Sequence, residues 1–134
     1  MPSIFSRIIS GEIPCYKIAE TSNFLAFLDI NPLAIGHVLV IPKIEIDYIF
    51  DIETELLQKM IAFAKQTANA IEKVIPCKRI GMAVIGLEVP HAHIHLIPLN
   101  SVSDINFERP KLQPSADELE KVAERIRKSY SDLN

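Results

Sequence analysis

His91-Ala92-His93-Ile94-His95-Leu96-Ile97 alternates imidazoles with apolar side chains, and that alternation decides how the chain is read. Successive side chains on a strand point to opposite faces, so the spacing predicts a strand over 91–99. His91, His93 and His95 then share one face, and Ala92, Ile94 and Leu96 the other. The apolar row belongs to a core. The imidazoles, spaced by roughly 6 to 7 Å, suit convergence on one bound group rather than the filling of a core. With an ordinary pKa of about 6.5, one ring can be a neutral nucleophile or base beside another that is a charged donor. That combination suits phosphoryl or nucleotidyl transfer. A lone histidine on a strand usually has no chemical role, but three of the chain's four histidines fall in this one segment. The competing reading is a metal site, because HxH on a strand is also zinc or iron geometry when a third ligand such as His37 or Glu88 is near. No cysteine pair or second carboxylate–histidine motif accompanies the strand, and a phosphate-directed site uses all three positions. No metal or other cofactor is expected.

Outward from this strand, Arg79–Ile85 reads as its neighbour, joined through Gly86-Leu87-Glu88-Val89-Pro90. Gly36 introduces His37-Val38-Leu39-Val40-Ile41, a β-branched run stopped by Pro42 and too apolar to be exposed on both faces, which places it near the middle of a sheet. Tyr16–Ala19 and Phe24–Ile30 read as a hairpin around Glu20-Thr21-Ser22-Asn23. Helical spacing marks a short opening helix through Ile4, Phe5, Ile8 and Ile9, closed at Ser10-Gly11. A main helix of about 53–74 carries Leu57, Met60, Ile61, Ala64, Ala68 and Ile71 on its stripe, with Asp51 as its cap. A carboxy-terminal helix of about 115–130 opens on Ser115 with Glu118 three residues later, a capping-box pattern. Residues 100–114 read as a long surface loop. The fold class expected is α+β, with about five strands in a mostly antiparallel sheet.

Composition narrows the function. At 134 residues with 49% apolar, the chain is expected to be a single domain over 1–134. The net charge is −3, and Lys17, Lys43, Lys59 and Lys65 are scattered, which argues against a long nucleic-acid partner. Cys15 and Cys77 have no CxxC spacing and read as reduced thiols of a cytoplasmic protein. Arg7 and Glu12 interrupt the apolar positions of residues 1–14, so neither a signal peptide nor a membrane partner is expected.

The segment 91–97 also resembles the histidine-triad (HIT) signature, HφHφHφφ with φ apolar. The resemblance extends to Ile4–Pro14, Leu25–Pro32 and Gly36–Lys43, in order, so that it runs from about Ile4 to Pro98. The Hint branch is the most similar. What the resemblance implies is a HIT-like fold and an enzyme acting on a purine nucleotide conjugate such as a phosphoramidate. His93 would attack the α-phosphorus to give a covalent nucleotidyl-histidine, a strategy that splits one hard displacement into two. His95 would contact phosphate oxygens, with His91 and His37 in support. Asp29 would bind the ribose hydroxyls, although an Asp before Ile30-Asn31-Pro32 also suits a turn cap. Phe5, Ile8, Phe27 and Ile30 would line the base pocket. Gly86 would lie beside the phosphate, with turn formation the plainer role for it and for Gly36. A homodimer is also implied. The alternatives are a dinucleoside polyphosphate hydrolase, a nucleotide-binding signalling module with little catalysis, and the metal-binding protein considered above.

The chain departs from the family pattern twice. Relatives carry asparagine and glutamine ahead of the triad, whereas this chain has Ile80–Val89, with Leu87 on the triad's side by alternation and Glu88 as a possible acceptor for an amine leaving group. Relatives with structural zinc carry Cys-x-x-Cys where this chain has Ser3-Ile4-Phe5-Ser6, and hydroxyls are poor zinc ligands. The opening helix should therefore be held by packing of Phe5 and Ile8. Residues beyond Asn100 offer nothing that bears on function.

Overall fold

Five β-rich runs separated by turn residues become five strands in the computed structural model, which describes all of Met1–Asn134. In chain order the elements are α1 (Ile4–Ile9), β1 (Lys17–Glu20), β2 (Phe24–Leu28), β3 (Val38–Pro42), α2 (Thr54–Val74), β4 (Arg79–Ala83), β5 (Ile94–Leu99) and α3 (Ala116–Leu133), with 3₁₀ turns at Ile49–Asp51 and Val102–Ile105. The strand order is β1-β2-β3-β5-β4, and every neighbouring pair is antiparallel. The α+β class and the central place of β3 are as expected.

Alternation along the strands divides the core. Ala26, Leu28, Val38, Val40, Ile94 and Leu96 face α2 and α3 and belong to the main hydrophobic cluster. Leu25, Phe27, Leu39 and Ile41 point the other way, where Phe5 of α1 joins them in a small second cluster with the partly buried Ile8 and Ile9 packed against it. One face of the sheet is thus sealed by two long helices, while the other is only partly covered. Register brings Phe27 opposite Leu39, Leu39 opposite His95, and His95 opposite Ala83. His95 therefore stands on the lightly covered face.

The helices match in extent but not in every contact. The buried residues of α2 are Met60, Phe63, Ala64, Thr67, Ala70 and Ile71, while Ile61 is largely exposed. The stripe is rotated toward Phe63, whose ring stacks on Phe24 of β2. The cap of α2 is Glu53, whose carboxylate accepts from the Glu55 N–H, rather than Asp51, which lies in the preceding 3₁₀ turn. The Ser115–Glu118 capping box at α3 is present. No helix is long and apolar enough to cross a membrane.

One expectation about the decisive strand is corrected. β5 starts at Ile94, so His91 and His93 precede it. The ladder with β3 ends at the Val40–Ile94 pair. Two positions further along β3, Pro42 has no N–H to offer. Its carbonyl accepts instead from the His91 ring, and the Ala92 N–H goes to the Ile46 carbonyl. The histidines are not a solvent-facing row either: His91, His93 and His95 are 0%, 7% and 8% exposed.

Candidate active site

His37, His91 and His93 each meet a backbone group that can only donate or only accept, and His95 is then fixed through His37, so the neutral tautomers follow from the contacts. The His93 Nδ1–H donates to the His91 carbonyl at 2.8 Å; a carbonyl only accepts, so Nε2 of His93 keeps its lone pair. The His91 Nε2–H donates to the Pro42 carbonyl at 2.8 Å, and Nδ1 of His91 accepts from the Ser3 hydroxyl at 2.8 Å. At His37 the backbone N–H of Leu33 donates to Nδ1 at 3.0 Å, which leaves the proton on Nε2. That proton goes to Nδ1 of His95 at 3.0 Å, so His95 in turn carries its proton on Nε2. The site pairs a lone-pair nitrogen on His93 with an N–H donor on His95, the two ring centroids 4.9 Å apart.

Burial favours the neutral form of His37, His91 and His95. It pushes His37 down to about 3, aided by the neighbouring His95 and Lys111, and His95 down to about 4, aided by His93 and Lys111. Burial also lowers His91, against the Pro42 carbonyl and Glu45, which favour its charged form. The 3.6 Å approach of His37 Nε2 to an Asp29 oxygen is therefore not an ion pair, since His37 is uncharged at neutral pH. It is also too long for a hydrogen bond.

A cleft of about 470 Å³ opens on the lightly covered sheet face, within the range of small-molecule sites. It is lined by His93, His95, His37, Asp29, Phe5, Ile8, Phe27, Ile30, Gly86 and Glu88. The remaining candidate, His91, lies behind it, between Ser3 and Pro42. Phe5 stands at the junction: its ring meets Phe27, His91 and His93 edge-on at 5.7, 5.7 and 5.0 Å. Asp29 is divided between its two expected roles. One oxygen accepts from the Asn31 N–H at 2.9 Å and caps the turn; the second faces His37 at the cleft. Burial raises its pKa, against that turn hydrogen bond. Gly36 and Gly86 both have positive φ, as turns require, and a Cβ on Gly86 would meet nothing within 4 Å. The space over Gly86 is therefore open. Leu87 is 87% exposed and lies in the β4–β5 connection rather than on a strand, so alternation does not set its direction; it and Glu88 form part of the cleft's wall.

Two groups of residues lay outside the sequence reading. Phe107 sets its ring against His95 at 4.7 Å and His37 at 6.3 Å, and Lys111 also lines the cleft, so the 100–114 segment belongs to the site. A lone aromatic in a polar loop was the available signal. The other group holds α1. Besides Phe5 packing, one Glu45 oxygen accepts from the Ser3 N–H at 2.7 Å and the Ser6 hydroxyl at 2.6 Å, while Ser3 donates to His91. The two serines thus tie α1 to the triad through hydrogen bonds. A six-residue helix has little stability of its own. Ser3→Ala also leaves a buried ring nitrogen unsatisfied and removes the α1 cap, an expected cost of about 1–3 kcal/mol. Chemical denaturation would show it, with Ser3→Thr near the wild type; equal stability of the alanine variant would contradict the assignment.

A carboxylate and two imidazoles, Asp29, His37 and His95, have potential ligand atoms within 4.8 Å of one another. The hydrogen bonds do not suit a metal. While the Leu33 N–H occupies Nδ1 of His37, neutral imidazole has no second lone pair to present at Nε2. Glu88, the other suggested third ligand, is exposed and not part of the cluster.

A lone-pair imidazole nitrogen and an imidazole N–H stand side by side over one face of an antiparallel sheet, and similarity to known proteins places this chain in the histidine-triad class of nucleotide-hydrolase-like proteins. The chain belongs to the HIT family: the HIT domain model matches residues 10–102. It is 34% identical over 129 residues to adenosine 5'-monophosphoramidase hnt1 of Schizosaccharomyces pombe, covering 94% of this chain and 96% of that one. Against adenosine 5'-monophosphoramidase HNT1 of Saccharomyces cerevisiae it is 41% identical over 96 residues, 71% of this chain and 61% of the relative. Among solved structures, a Hit-like protein of Bartonella henselae superimposes with a TM-score of 0.83 at 31% identity, covering 95% of each chain.

Proposed function

We propose that the protein is a Hint-like nucleotide phosphoramidase that releases a purine nucleoside monophosphate through a covalent His93 adduct. The observation that carries this reading is the 2.8 Å bond from His93 Nδ1–H to the His91 carbonyl, which leaves Nε2 as the free nucleophile. In the first step the Nε2 lone pair forms a bond to the α-phosphorus as the bond to the leaving nitrogen breaks, and the departing amine takes up a proton from solvent water, which is returned when the second step releases the proton of the attacking water. In the second, water adds to phosphorus, the P–Nε2 bond breaks, and His93 is regenerated with loss of the water's proton. The His95 Nε2–H meets the oxygens that gain charge. His37 and His91 act as positioning residues, His37 through the proton it gives His95 and His91 through its carbonyl.

Asp29 offers the oxygen not committed to the turn to the ribose hydroxyls, and Phe5, Ile8, Phe27 and Ile30 wall the base. Beside the triad, Leu87 presents an apolar surface where relatives carry an amide, and Glu88 next to it presents a carboxylate. A like charge there disfavours a polyphosphate leaving group and suits an amine. Comparing an adenosine phosphoramidate with a diadenosine polyphosphate tests this: faster turnover of the phosphoramidate is expected, and preference for the polyphosphate would reassign the substrate. A homodimer is part of the proposal. β4 is an edge strand followed by exposed Val84 and Ile85, a surface suited to a second copy.

A further inference from the structure

The phosphate of any nucleotide bound at the triad has to be accommodated in a cleft where His37 and His95 bring little positive charge. His37 and His95 are neutral at pH 7. Among the residues lining the cleft the formally charged side chains are Asp29, Glu88 and one cation, Lys111. Hydrogen-bond donors alone would leave an anionic ligand facing two carboxylates.

Lys111 is carried by a segment that is anchored at both ends. At its start, Asn100 accepts from the Lys78 N–H at 3.1 Å, and Asp104 accepts from the Asn100 and Ser101 N–H groups, both at 2.8 Å. At its end, the Leu112 N–H donates to the Pro32 carbonyl at 2.9 Å, three residues from Asp29. Phe107 rests against His95 between these anchors. The ammonium has three N–H donors; two are directed to the carbonyls of Phe107 and Arg109, and no carboxylate lies within ion-pair distance. One donor is left over. The positive charge is felt at Asp29, His37 and His95 alike, opposing protonation at each.

We infer that Lys111 is a further substrate-contacting residue, whose ammonium meets an oxygen of the α-phosphate attacked by His93 and makes the 100–114 segment part of the active site. The inference rests on the nucleotide reading of the cleft. It deepens that reading by assigning the counter-charge: the site discriminates nucleotides from nucleosides through Lys111.

Titration calorimetry with AMP and with adenosine separates the possibilities. In Lys111→Met, AMP binding is expected to weaken by about tenfold, as for a lost charge-assisted hydrogen bond, while adenosine binding stays the same. Lys111→Arg should retain most of the AMP affinity, and the salt dependence of AMP binding should shrink in Lys111→Met. With both an adenosine phosphoramidate and a diadenosine polyphosphate, kcat/KM is expected to fall in parallel. Unchanged AMP affinity in Lys111→Met, equal weakening of AMP and adenosine, or a loss confined to the polyphosphate would each overturn the assignment. If the wild-type protein binds no AMP, the nucleotide reading itself fails; if it does and Lys111→Met matches it, only the role of Lys111 fails.

Discussion

Replacing His93 by Ala is expected to lower kcat by about 10⁴-fold or more, the scale on which covalent catalysis depends on its nucleophile, while nucleotide affinity changes little. The asymmetry follows from what His93 touches. Its Nδ1–H is spent on the His91 carbonyl, so the ring has one lone pair, and removing it removes the bond-forming atom. Affinity instead comes from the apolar walls, Asp29 and the donors around the phosphate. Those residues sit on α1, β2, β5 and the neighbouring loops, which the substitution leaves in place. Steady-state turnover and equilibrium binding on the same preparation check both halves. A variant retaining substantial turnover would show that another group, or water directly, attacks phosphorus.

The second large effect is on acid stability. His37 and His95 are held near 3 and 4 in the folded protein, against about 6.5 in an unfolded chain. Between those limits the unfolded state binds more protons, so stability decreases as pH falls from about 6.5 toward 4. Above that window both states carry neutral imidazoles and the contribution is constant. Since the two rings share one proton chain, their effects are not independent; together they amount to a loss on the order of a few kcal/mol. Asp29, raised by burial, acts in the opposite direction at the lower edge of the window. Denaturant unfolding across this range should give a positive slope of stability against pH, shallower in His37→Gln and in His95→Gln. Identical slopes in the wild type and both variants would mean that the rings are not buried neutral.

How much of this was legible in the sequence depended on whether local pattern or tertiary contact decided the outcome. The antiparallel sheet, the central position of β3 and the Ser115 capping box followed from alternation and local chemistry. Period-2 reasoning failed where the ladder ended. It extended β5 back to His91, because nothing local to 91–93 shows that Pro42, 49 residues away, supplies no N–H while its carbonyl captures the His91 ring. The same limit applied to the buried state of the histidines, which depends on Phe5 and Phe107 closing over them from distant parts of the chain. Residue preferences point to Asp51 as the cap of α2, but the 3₁₀ turn at Ile49–Asp51 takes it up and leaves Glu53 at the helix start. Ser3 and Ser6 were seen as absent metal ligands, but their hydrogen bonds require Glu45 to approach from beyond β3. Lys111 was beyond reach for the same reason: its place over the cleft depends on the tether between Leu112 and Pro32.

The central claim is a phosphorus–nitrogen bond to one particular ring, and rapid quenching of a turnover reaction followed by peptide mass spectrometry tests it most directly. The mechanism predicts a nucleotidyl adduct on His93 in the wild-type protein, with none in His93→Ala. Turnover without any adduct at early times, or an adduct on a residue other than His93, would contradict it.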